Sequence, residues 1–136
     1  MNPITIQTTV KIPVAQAWTL STLPEHITKW NFANDEWHCP SATNDLRVGG
    51  KFSSRMEAKD GSFGFDFEGV YEAVIPHERI EYILEDGRKV KITFTEKDGE
   101  TTITEIFDPE SENSIELQQQ GWQAILNNYK KYAERI

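Results

Sequence analysis

The segment from Asn113 to Ile136 constrains this chain most. Ile115, Trp122, Ile125, Leu126, Tyr129, Ala133 and Ile136 recur there at helical spacing, so one side of a long helix is apolar. An apolar stripe has to be covered, and the sequence before it reads mainly as strand, so the helix must lie on a sheet. Asn113 with Glu116 three residues on has the form of a capping box, with Asn in place of Ser or Thr. A sheet curled around one long helix leaves an internal space between the two, and that space is the candidate functional site.

The strands are marked by alternation and by turns. Residues 4–12 alternate and are β-branched, and Pro13 stops them. Val14, Ala17, Trp18 and Ser21 give a short helical face. Thr22-Leu-Pro-Glu25 reads as a second helix start with Thr22 as N-cap, running to about Trp30. A polar, aromatic-rich loop is expected through Trp37, His38 and Pro40, then a short strand and tight turn over 45–50. Strands follow over 51–59, 62–75, 79–85, 88–97 and 101–107. Asp-Gly pairs at 60–61, 86–87 and 98–99 separate them, which predicts an antiparallel meander.

The expected class is therefore α+β: one strand, two short helices, about six antiparallel strands and a long C-terminal helix. Phe63, Phe65 and Phe67 point one way while Asp66 and Glu68 point the other. Val90, Ile92 and Phe94 likewise oppose Lys89 and Lys91. One sheet face is apolar and the other solvated, as expected when helices cover a single face. Around Gly69 a bulge would exchange the roles of Val70 and Tyr71.

The 136 residues are read as a single domain, residues 1–136. A net charge of −8 argues against nucleic acid and against an anionic membrane surface, both of which need a basic protein. One cysteine, Cys39, excludes an internal disulfide and fits a reducing compartment. No apolar stretch approaches membrane-spanning length, and no signal segment opens the chain. The reading is of a cytoplasmic protein without membrane insertion, monomeric or homodimeric through an exposed edge strand.

Several short motifs then resemble a known family. They are Pro13-Val-Ala-Gln-Ala-Trp18, Trp30, Leu46-Arg-Val-Gly-Gly-Lys-Phe52, Gly69-Val-Tyr-Glu-Ala-Val-Ile-Pro76 with Arg79-Ile80, and Gly121-Trp122. In this order, over nearly the whole chain, they look like the START-like helix-grip (SRPBCC) superfamily, which runs β-α-α-β6-α. Within it they resemble the activator of Hsp90 ATPase-like (AHSA1-like) branch. The resemblance implies a pocket between a curved antiparallel sheet and the C-terminal helix, often holding an apolar small molecule. It does not imply one reaction, since the superfamily includes lipid carriers, polyketide cyclases and co-chaperone domains.

The candidate ligand-binding residues are mostly aromatic: Trp30, Phe32, Trp37, Phe52, Phe65, Phe67, Tyr71, Tyr82, Phe94 and Trp122, with Met56 and Leu126. Any one of these rings also serves as plain core, but so many in a small domain suit a lined pocket. Gly121 inside the helix costs roughly 1 kcal/mol relative to Ala. It is expected to allow a close backbone approach or to leave room beside Trp122. If Ile103 and Phe107 face the core, Glu105 shares their face and needs a partner or a raised pKa. Arg55 or a tyrosine hydroxyl is the expected partner; the opposite strand phase places Glu105 in solvent. His38 is expected at the pocket mouth beside Trp37. His38, Cys39, Asp35 and Glu36 lack metal-ligand spacing, so no metal or other cofactor is assigned.

The function read from the sequence is binding of an apolar or aromatic small molecule, lipid- or polyketide-like. One alternative is an enzyme of cyclase or hydrolase type using the same cavity, for which no catalytic residue is assigned. The other is an interaction module with a chaperone partner.

Overall fold

The computed structural model describes residues 2–136. The elements run β1 (Ile4–Val10), α1 (Val14–Thr22), α2 (Pro24–Trp30), β2 (Trp37–Asn44), β3 (Lys51–Ala58), β4 (Gly64–Ile75), β5 (Arg79–Leu84), β6 (Lys89–Lys97), β7 (Glu100–Phe107) and α3 (Ile115–Arg135). All seven strands form one antiparallel sheet in the order β1-β7-β6-β5-β4-β3-β2. The sheet curls as a half-barrel around α3, the helix-grip arrangement. Strands β2 to β7 are a plain meander, and only β1 pairs out of sequence, with β7. Helices α1 and α2 carry the chain from the β1 edge to the β2 edge.

The three Asp-Gly turns form as expected, with Gly61, Gly87 and Gly99 all at positive φ. Registers fix the phase of every strand. Ile6 pairs with Glu105, Glu105 with Ile92 and Ile92 with Ile80, so these four share the inner face. Tyr71 pairs with Tyr82 on that same face, while Val70 pairs with Ile83 on the other. The β4 irregularity falls between Tyr71 and Ala73, after Gly69, so Tyr71 keeps its inward phase.

Four local expectations are corrected. Residues 37–44, expected as loop, form β2, and the 45–50 segment is turn and coil. Pro40 misleads there: β2 is an edge strand, and Pro40 sits in its bulge between His38 and Ser41, where no ladder donor is needed. Thr22 does not cap α2. It ends α1, its hydroxyl donating to the Trp18 carbonyl at 2.8 Å, and Leu23 holds the N-cap position. The cap of α3 is Ser114, not Asn113; its Oγ accepts the Leu117 N–H at 3.1 Å. The Asn113 N–H is taken instead by Glu110.

The core fills the space between α1, α3 and the β1-β7-β6 half of the sheet. Val10, Phe107, Tyr129 and Ala133 have lost essentially all contact with solvent. Phe107 stacks on Trp122 with ring centroids 3.8 Å apart and planes at 10°. Burying one such ring removes enough apolar surface to contribute about 2–3 kcal/mol.

Candidate functional site

The inner face does not fill completely. A cavity of about 350 Å³ remains between the sheet and the helices. That lies within the range of small-molecule sites and exceeds twice the roughly 150 Å³ that admits a benzene.

Its floor is the sheet. Phe52, Ser54 and Met56 come from β3, Phe65, Phe67 and Tyr71 from β4, Ile80 and Tyr82 from β5, Ile92 and Phe94 from β6, and Ile103 and Glu105 from β7. Alternation puts each set on one face. Its roof is helical: Ile27 and Trp30 of α2, and Trp122, Ile125, Leu126 and Tyr129 of α3, spaced by three and four residues along one stripe. The rings are held edge to face, with Phe52 4.7 Å from Tyr82, Phe67 6.0 Å from Trp122 and Trp30 5.2 Å from Tyr129. Gly69 keeps the Phe52 ring down: a Cβ there would meet that ring at 2.8 Å and the Ile83 carbonyl at 2.9 Å.

Polar atoms on the lining are mostly engaged. The Trp30 indole N–H donates to the Leu20 carbonyl at 2.8 Å and the Tyr129 hydroxyl to Ala17 at 2.8 Å. The Tyr71 hydroxyl donates to Asn44 Oδ1, whose amide nitrogen donates to the Thr22 carbonyl at 2.7 Å. Burial pushes the Tyr71 and Tyr129 hydroxyls up to about 12 and Tyr82 well above its ordinary value, so all three are neutral.

Glu105 is the exception. It sits mid-strand in β7, on the inner face with Ile103 and Phe107, and its side chain is turned to the cavity. Among the described residues it has no hydrogen-bond or ion-pair partner. Burial alone raises its carboxyl from the usual 4.5 to about 7. Arg55, an expected partner, is on the outer face, bound to Glu57 at 2.8 Å and Asp66 at 3.4 Å. It belongs there because Phe52, Ser54 and Met56 take the inward phase of β3. The Tyr82 hydroxyl, on the same floor, makes no hydrogen bond among the described residues either.

Eleven of the sequence-expected residues come together on this lining: Trp30, Phe52, Met56, Phe65, Phe67, Tyr71, Tyr82, Phe94, Glu105, Trp122 and Leu126. Three do not, and this corrects the expectation for them. Phe32 lies beyond the end of α2, off the lining. Trp37 packs edge-on against Phe63 and Phe65 at 6.0 and 6.2 Å, at the end of the β3–β4 hairpin. His38 pairs with Glu57 on the outer face, 3.7 Å from its carboxylate. Gly121 is not required by a close backbone approach, since a Cβ there meets nothing within 4 Å, and the residue is not itself on the cavity lining.

Lining residues outside the expected set include Asn44, Ser54, Ile125, Tyr129 and Arg88. Arg88 stands two positions before Val90 and shares its inward parity, which is a readable signal. Ile125 and Tyr129 belong to the helical stripe. Asn44 carries no such mark, because its strand is interrupted by the bulge.

A helix-grip fold enclosing a largely apolar cavity defines the class. The family model described as Activator of Hsp90 ATPase homolog 1-like protein matches residues 11–134, and the chain belongs to that family. Its structure is similar to that of an AHSA1-like protein from Aeromonas hydrophila, with 37% identity and a TM-score of 0.89 over 97% of this chain and 93% of that one. A Cytophaga hutchinsonii protein is similar at 51% identity and a TM-score of 0.86, over 99% and 94% of the two chains. A Chromobacterium violaceum protein shares the fold at 21% identity, with a TM-score of 0.86 over 98% and 99%. No match to a curated protein is found. No helix among the described residues is long and apolar enough to cross a membrane.

Proposed function

We propose that this chain is a single-domain cytoplasmic protein that binds an apolar or aromatic small molecule, lipid- or polyketide-like, between its sheet and α3. The observation that carries this reading is the 350 Å³ left open by side chains that are otherwise closely packed. Protein interiors fill such volumes by default, so an apolar space of this size is an exception. Ligand burial would contribute about 25 cal/mol per Å² of apolar surface, before the cost of association. Glu105 and Tyr82 would orient the ligand. They make no hydrogen bond to each other, so no acid–base pair is assembled, and this favours binding over catalysis.

Tryptophan fluorescence tests the reading directly. Trp30 and Trp122 line the cavity, whereas Trp18 and Trp37 do not. A bound naphthalene or fatty-acyl probe is expected to change the emission saturably, and a Trp30→Phe/Trp122→Phe double variant to lose most of that change. No saturable response to any apolar probe would sink the proposal.

A further inference from the structure

We propose that the ligand of this cavity carries a cationic nitrogen, an amine protonated at neutral pH, and that Glu105 is its counter-ion. This rests on reading the cavity as a binding site. The argument starts from what Glu105 lacks. Glu105 is half-buried and opens to the cavity. A carboxylate so shielded from water is costly unless paired, and no described residue pairs it. Its neighbours in register are Ile6 and Ile92, both aliphatic. The phenol of Tyr82 shares its floor and that of Tyr129 faces it from α3, both neutral, with Tyr129 already donating to Ala17. Among the described residues no lysine or histidine lies on the lining.

Arg88 is the other charged residue on the lining, and it is committed elsewhere. Its Nε lies 2.7 Å from Asp86. It stands just before β6, four residues ahead of Ile92, the partner of Glu105, which is roughly 13 Å along an extended backbone. The polar end of a ligand resting over β7 therefore meets two neutral phenols and one group able to carry charge near neutral pH, the Glu105 carboxyl.

The walls point to the same ligand class. Trp30, Phe52, Phe67, Tyr82, Phe94 and Trp122 surround the space, and ring faces attract cations while disfavouring anions. An aromatic enclosure with one carboxylate is the complement of an organic cation. A fatty acid would instead set its carboxylate against Glu105. The net charge of −8 draws cations toward the protein and repels anions before contact.

The test uses three probes of one shape, 1-naphthylmethylamine, 1-naphthylmethanol and 1-naphthoate, titrated calorimetrically into the wild-type protein and Glu105→Gln at pH 8. At that pH the Glu105 carboxyl is ionised and the amine still protonated. The amine is expected to bind wild type at least about tenfold more tightly than the alcohol, and the naphthoate most weakly. Glu105→Gln is expected to remove the amine's advantage, so that the variant binds amine and alcohol alike. A cooperative thermal unfolding transition reports that the variant is folded. Equal binding of amine and alcohol by wild type, or an amine affinity unchanged in Glu105→Gln, would overturn the inference and leave the cavity standing as an apolar site. Failure of both amine and alcohol to bind wild type would overturn the binding reading itself, and this inference with it.

Discussion

The two halves of the sheet are built from the same alternation and end in opposite states. On the β1-β7-β6 side, α3 lies directly on β1 and shares a core with α1. Ile6, Val10, Ile103 and Phe107 there are sealed. On the β2-β3-β4 side it is α2 that covers the edge strand, packing on β2. Phe67 there is only half-buried, Phe65 is 41% exposed and Phe63 60%. A single long helix cannot close both sides of a curled sheet. The half it lies on carries most of the stabilising core, and the cavity opens toward the half it leaves, with Ile103 and Glu105 of β7 and one stripe of α3 still on its lining. Alternating hydrophobicity reports which face is inward, but not whether anything fills the space in front of it.

The sharpest way to break this comparison is to truncate one ring in each half. Phe107→Ala removes a ring with no solvent exposure, stacked on Trp122, and is expected to cost about 3–5 kcal/mol in denaturant unfolding. Phe67→Ala enlarges a space already present and is expected to cost only about 1 kcal/mol, while weakening probe binding more than tenfold. Equal losses of stability would mean that the β2-β3-β4 half is as much a core as the other.

Glu105 lies within the β1-β7-β6 half yet faces the cavity, and pH reads its state. Its carboxyl titrates near 7 when folded and near 4.5 when unfolded. Between those values the folded protein holds a proton that the unfolded chain has released. Stability is therefore highest, as far as this group goes, below pH 4.5, and falls as pH rises through 7. From pH 5 to pH 8 the expected loss is on the order of 2–3 kcal/mol. Asp60, Asp86 and Glu110 are held below the usual carboxylate range by local hydrogen bonds, so their contributions are lost only at lower pH. Glu105→Gln is expected to flatten the slope between pH 5 and 8 in thermal unfolding. An unchanged slope would place the carboxyl in water and remove it from the cavity lining.

The order of elements was legible because each level of the sequence agreed: period-two strands, Asp-Gly turns and one period-3.6 stripe. The position of Glu105 was legible too, as a conditional, because Ile103 and Phe107 fixed the parity of β7. What parity could not supply was the partner. Arg55 is near β7 in no sense that sequence shows; which side of β3 it takes depends on Phe52, Ser54 and Met56 facing in together. Trp37 and His38 were misplaced for a different reason. A bulge at Pro40 breaks the alternation on which any facing argument depends, and an edge strand tolerates that break where an inner one would not. Aromatic content drew both residues into the expected pocket, yet one is packed at a hairpin end and the other points outward.

The helix repeats the contrast along its own length. Its C-terminal half is sealed, with Leu126, Tyr129 and Ala133 buried, while Ile115 and Leu117 near its start are 45% and 56% exposed. Gly121 lies toward the open end, and the space where its Cβ would be is empty to 4 Å. It has no positive φ to explain it. Gly121→Ala should then recover only the helix-propensity difference, raising stability by about 0.5–1 kcal/mol in denaturant unfolding without altering probe affinity. The sign is the informative part. A loss of stability would mean that α3 sits closer to its surroundings there than the open half allows. A gain with weakened probe binding would mean that the entrance to the cavity runs past Gly121, and that the glycine is retained to keep it clear.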